Sequence, residues 1–193
     1  MIIHIPNLLT LFRVILIPVL VVMYFWPSSC REIIITGIFV LAALTDWLDG
    51  FLARRMNAAS PLGEFLDPVA DKLIVSTALV LLVSDGRVLD GVVHPMPFAV
   101  AVAIIIGREI VISALREWMS ELGERGAVAV GRLGKSKTAF QMISISVLLY
   151  GKPVYGIPIF HLGEILLYLA ALLTLWSMYE YLRSAVPHLR DSS

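Results

Sequence analysis

Long apolar runs broken by short polar clusters set the pattern of this chain. Six of them lie at about 8 to 26, 33 to 53, 66 to 84, 96 to 116, 138 to 151 and 163 to 182. A helix needs about 20 such residues to cross the hydrocarbon of a bilayer, so the pattern predicts an all-α integral membrane protein with six transmembrane helices. The fifth run is short, and Lys135 is an alternative start for it. The first run has no basic segment before it and no small-residue cleavage site after it, so it is expected to stay as a membrane helix. Tyr24, Phe25 and Trp26 at its far end, and Trp176, Tyr179 and Tyr181 near the end of the sixth, read as aromatic belts at the two interfaces.

Composition agrees with this pattern. The 193 residues are 59% hydrophobic and 16% charged, with a mean hydropathy of +0.87, outside the range of ordinary soluble domains. Formal net charge is zero, so overall charge says nothing about partners, and no nucleic acid is expected among them. The distribution of charge is more informative. With both termini on one side, that side carries twelve of the fifteen basic residues, and only Arg31, Arg87 and Lys152 fall on the other. Such a bias puts both termini in the cytoplasm of a cell whose inner membrane holds the chain. A single cysteine, Cys30, excludes an internal disulfide, and the four histidines show no ligand spacing. With no repeat and no linker, residues 1–193 read as one domain.

Against this apolar background four carboxylates stand out in the stretch from Asp46 to Lys72. At about 100° per residue, Asp46, Asp49, Gly50 and Ala53 share one helix face, which puts two acids beside two small residues. Asp67 and Asp71, spaced four apart, share a face of the next helix. Ionisable residues at such depth mark function, and four converging carboxylates repel one another unless cations neutralise them. Oxygen-only donors suit Mg²⁺ or Mn²⁺, and two ions are the natural number. The bland alternative is that these acids cap helices or pair with Arg54, Arg55 and Lys72. Gly63 leaves backbone room one turn before Asp67. The helix beyond starts either at Ser60-Pro61 or at Asp67-Pro68, and its positive end favours an anionic ligand.

The spacing Asp46-x2-Asp49-Gly50-x2-Ala53-Arg54-x8-Gly63-x3-Asp67-x3-Asp71 resembles the signature of the CDP-alcohol phosphotransferase family at every fixed position. The resemblance implies a CDP-linked lipid donor, CDP-diacylglycerol, and release of CMP. By that analogy Asp46, Asp49, Asp67 and Asp71 hold the metals, and Asp71 is also the general base on the acceptor hydroxyl. Gly50 and Ala53 admit the nucleotide and Arg54 binds its phosphates. The opening Asn7-x2-Thr10-x2-Arg13 sits beside the nucleotide pocket in this reading. In the alternative one, Asn7 or Thr10 caps the first helix and Arg13 snorkels to the headgroups.

The acceptor is read from basic residues further on. Arg108 lies deep in the fourth run, and Arg is suited to phosphate by its bidentate fork, although Glu109 or Glu117 offers it an ordinary ion pair. The segment Gly131 to Thr138 lacks the first glycine of a P-loop, since residue 129 is Ala129, and no strand precedes it. Its Lys135 and Lys137, with Arg108 and Arg116, form a candidate acceptor-phosphate site, or else plain cytoplasmic anchoring. Further phrases, such as Arg108-Glu109-Ile110 and Leu172 to Met178, extend the resemblance along the whole chain. They imply sn-glycerol 3-phosphate as acceptor and a role in phospholipid biosynthesis. Serine, inositol phosphate and phosphatidylglycerol are the rival acceptors, and a divalent-cation transporter is the rival class. Family habit implies a homodimer, with Gly37, Ala42 and Ala43 as small residues that permit close helix packing.

Overall fold

A computed structural model describes the backbone of residues 5–56, 61–121 and 132–191, and the side chains of 8–46, 48, 66, 68–119 and 137–183. Among the described residues the chain is all-helical: α1 (Ile5–Phe25), α2 (Arg31–Met56), α3 (Pro61–Ser84), α4 (Gly86–Gly91), α5 (Pro95–Glu121), α6 (Arg132–Tyr150) and α7 (Phe160–Asp191). Each of the six apolar runs lies on one long helix. Among the described residues, three helices carry a segment long and apolar enough to cross a membrane, Leu8–Phe25, Pro95–Met119 and Phe160–Arg183.

Several boundaries differ from the sequence reading. Helix α1 begins at Ile5, so Asn7 and Thr10 lie inside it and neither caps it. Helix α3 begins at Pro61, where the fixed φ of proline suits a first helical position, and so Asp67 and Pro68 are interior rather than a second start. Helix α6 begins at Arg132, ahead of both suggested starts, because its first turns are basic rather than apolar. Helix α4 has no long apolar run to announce it. Its start is instead set by Asp85, whose carboxylate accepts the Arg87 N–H at 3.0 Å while its carbonyl accepts those of Val88 and Leu89.

The chain forms two compact units, residues 1–91 with 145–160, and residues 92–144 with 161–193. In the first, α1 packs on both α2 and α3. Its inward face is read directly from the helical period: Thr10, Arg13, Leu16, Leu20 and Tyr24 are buried, while Leu11, Ile15 and Val22 are exposed. At its C-terminal end Tyr24 donates to Asp85 at 2.9 Å, Arg31 donates to the Tyr24 carbonyl at 3.1 Å, and Lys152 pairs with Glu32 at 3.0 Å.

In the second unit, α5 and α7 share a core of Ile112, Leu115, Met119 and Tyr181. Helices α6 and α7 are tied by the Ser144 hydroxyl, which donates to the Gly163 carbonyl at 2.7 Å. Buried Glu164 accepts from the Val93 N–H at 3.2 Å and from the Tyr168 hydroxyl at 2.8 Å, pinning the start of α5 to α7. Tyr24, buried and bonded to Asp85, is one correction to the aromatic belts, and Tyr181 is another. Trp176 and Tyr179 are exposed as expected, but Tyr181 is buried, because it follows Ser177 by one turn on the inward face.

Candidate active site

The first unit holds the four-carboxylate stretch. Asp46 and Asp49 lie on α2 with Gly50, Ala53 and Arg54, and Asp67 and Asp71 lie on α3 with Gly63. The side chains of Asp49, Arg54, Asp67 and Ala53, and the surroundings of Gly50 and Gly63, lie outside the described residues, as does the side chain of Asn7. Asp46 and Asp71 are both partly exposed.

Arg13 is fully buried and its Nη1 meets Asp46 Oδ1 at 3.0 Å, with the Asp46 side chain 41% exposed. Snorkelling is therefore not what Arg13 does: the helical period turns it toward α2, where a carboxylate compensates the loss of water. Thr10, one turn earlier, is buried on the same face. Of the residues expected beside the nucleotide pocket, the structure thus brings Thr10 and Arg13 to the face of α1 that meets Asp46. No group of three or more acidic, histidine or cysteine side chains occurs among the described residues. The described donors, Asp46 and Asp71, offer oxygen only, which fits a hard divalent cation.

The second unit holds a separate basic cluster. Glu109 Oε1 accepts from Arg108 Nη1 at 2.9 Å and from Lys137 Nζ at 2.8 Å. Arg108 Nη2 donates to the Ser177 hydroxyl at 3.1 Å, and the Arg108 Nε, although buried, has no hydrogen-bond partner among the described residues. The Tyr181 ring lies 5.9 Å from the Arg108 guanidinium and 5.5 Å from that of Arg116, and the Tyr181 hydroxyl accepts from Arg116 at 3.0 Å.

Three of the four expected acceptor-site residues, Arg108, Arg116 and Lys137, are therefore gathered by Glu109, Ser177 and Tyr181. The side chain of Lys135, in the first turn of α6, lies outside the described residues. Sequence reasoning treated Glu109 only as a competitor for Arg108 and passed over Ser177 and Tyr181. Their signal was present in the helical spacing Thr174, Ser177, Tyr181, a polar stripe in an otherwise apolar helix, all three of them buried.

With this geometry in view, comparison with known proteins is decisive. Residues 3–176 match the sequence profile of CDP-alcohol phosphatidyltransferases. The chain belongs to that family. Within the family it is similar to proteins named CDP-diacylglycerol–glycerol-3-phosphate 3-phosphatidyltransferase. The one from Salmonella choleraesuis is 47% identical over 97% of this chain and 98% of the relative. That of Salmonella typhimurium has the same identity and coverage. The Pseudomonas fluorescens protein is 46% identical over 97% of this chain and 92% of its own.

Proposed function

We propose that this member of the family transfers the phosphatidyl group of CDP-diacylglycerol to sn-glycerol 3-phosphate, giving phosphatidylglycerophosphate and CMP. The similarity to relatives of that name over nearly the full length of both chains carries the reading. The complete four-aspartate signature and a basic cluster around buried Lys137, suited to a phosphate-bearing acceptor, support it.

In this mechanism a hydroxyl of the acceptor attacks the phosphorus that bears the lipid, the bond to the CMP oxygen breaks, and the hydroxyl proton passes to Asp71. Asp46, Asp49, Asp67 and Asp71 hold two Mg²⁺ or Mn²⁺ ions. When bound, these supply charge neutralisation for the pyrophosphate, the dominant need in phosphoryl transfer. Arg54 takes the nucleotide phosphates, and Gly50, Ala53 and Gly63 leave room for the nucleotide. Arg13 fixes Asp46 from the α1 side, with Asn7 and Thr10 lining the same approach. Arg108, Arg116, Lys135 and Lys137 seat the phosphate of the acceptor, a bidentate and charge-assisted task that suits arginine.

All six long helices span the inner membrane as one domain, with both termini and the active site on the cytoplasmic side. Arg31, Arg87 and Lys152, the three basic residues expected outside, support this orientation. All three engage Glu32 or Asp85, with Arg31 bridging the two acids at 3.4 and 3.8 Å, and so they gather at one end of the first unit. A second copy of the chain completes a homodimer. Gly37 faces open space and is available for such packing, whereas Ala42 is buried within the chain.

The test is CMP release by purified protein in detergent with CDP-diacylglycerol and Mg²⁺, comparing glycerol 3-phosphate with serine, inositol phosphate and phosphatidylglycerol. Release that depends on glycerol 3-phosphate supports the reading. Release with another acceptor keeps the chemistry and overturns the substrate.

A further inference from the structure

The geometry of the second unit points to Glu109 as a specificity-determining residue that occupies the phosphate seat until a phosphomonoester displaces it. This rests on the acceptor reading above. Three observations carry it. Two cations of the seat, Arg108 and Lys137, converge on one atom, Glu109 Oε1, at 2.9 and 2.8 Å, as they would on a phosphate oxygen. The cations are the more buried partners, with Arg108 and Lys137 side chains 9% and 3% exposed against 23% for Glu109. The carboxylate is thus the least enclosed of the three groups and the one with room to swing away. Arg108 is also held independently of Glu109, by the Ser177 hydroxyl at 3.1 Å and the Tyr181 ring at 5.9 Å. It stays in position when the carboxylate leaves, with the unpartnered Nε–H as a further donor for an incoming oxygen.

Charge then decides what can displace Glu109. Arg108 and Lys137 together carry one more positive charge than Glu109 neutralises, and Arg116 beside Tyr181 adds to the excess. A dianionic phosphomonoester in place of the carboxylate neutralises the pair. A phosphodiester carries one negative charge and gains nothing over Glu109, and a zwitterion such as serine gains less still. Selection against these acceptors comes from the competitor already seated, a device for specificity rather than affinity. Glu109 is a positioning residue in this scheme and touches neither reacting atom.

The experiment measures competition with glycerol 3-phosphate in the CMP-release assay. For the unaltered protein, inorganic phosphate is expected to inhibit and dimethyl phosphate, a monoanionic diester, is not. In Glu109→Gln the KM for glycerol 3-phosphate is expected to fall roughly three- to tenfold, and dimethyl phosphate becomes a competitive inhibitor. The KM for CDP-diacylglycerol should stay as it was, and Glu109→Asp, which keeps the charge, should restore discrimination. Equal inhibition of the unaltered protein by both anions overturns the inference without any variant. So does a Glu109→Gln protein whose KM for glycerol 3-phosphate is unchanged or raised, or whose KM for the CDP-lipid shifts by the same factor. If CMP release does not depend on glycerol 3-phosphate at all, the acceptor reading falls and this inference with it; if it does, only the inference is at stake.

Discussion

Arg13 and Asp46 share one ion pair but differ in what surrounds them, and that difference can be measured. Arg13 has no solvent exposure, while the Asp46 side chain is 41% exposed. Removing the arginine leaves a carboxylate that water can reach; removing the carboxylate leaves a buried cation with less compensation. In metal-free detergent, Asp46→Asn is therefore expected to lower stability by more than Arg13→Met, by about 3 kcal/mol against about 1 kcal/mol. Thermal unfolding of the two variants checks the order, and the reverse order would mean that the pair is not the main compensation for Arg13. Activity separates differently. Asp71→Asn removes the proposed base and should cut CMP release by about 10²- to 10⁴-fold with little change in folding, as followed by kinetics alongside circular dichroism. The identities of the acids were legible in the sequence because their spacing sets one helix face against an apolar background. The partner of Arg13 was not, since an arginine near a helix end can turn to headgroups or inward, and only the packing of α1 on α2 decides.

At the scale of elements, the length of the apolar runs was enough to locate six long helices, and it failed where polarity blurred their ends. Helix α6 begins at Arg132, ahead of Lys135, the earlier of the two starts the sequence offers, and Lys137 is buried against a carboxylate from α5. Helix α4 is six residues long and is specified by its cap alone. That cap also gives the junction of α1, α3 and α4 a pH dependence. Burial pushes the Asp85 carboxyl up, but hydrogen bonds from Arg87 and Tyr24 outweigh it and hold the group below the usual carboxylate range. Glu32 behaves alike: burial raises it, and its backbone hydrogen bond and Lys152 bring it lower. Unfolded, both groups bind protons below about pH 4, before their folded forms do, so their stabilisation is present above that value and is lost as pH falls through the depressed folded values. Melting temperature in detergent should decline between pH 5 and about pH 3, and Asp85→Asn should both lower it at neutral pH and flatten the decline. An unchanged slope in that variant would remove Asp85 from the account.

At the scale of the whole molecule, apolar side chains among the described residues fill the interior and also cover much of the exterior. The buried set includes Arg13, Lys137, Gln141, Glu164, Thr174 and Ser177, while Leu, Ile, Val and Phe side chains along the long helices face outward, Phe25, Ile110 and Leu172 each more than 60% exposed. Such an arrangement is stable where the surroundings are lipid, because outward apolar groups then cost nothing and inward polar groups find partners in one another. The sequence made this legible through hydropathy, and the asymmetry of its basic residues assigned sides. Cys30 turns that assignment into an experiment. It is the one cysteine of the chain, it is exposed, and it stands in the short connection between α1 and α2 beside the ion pairs of Arg31 with Glu32 and Asp85. A membrane-impermeant thiol reagent applied to spheroplasts should therefore label the unaltered protein. The double variant Cys30→Ser, Ser193→Cys should label only after the membrane is permeabilised. Labelling in the opposite pattern would invert the proposed topology and move the four carboxylates to the outer face.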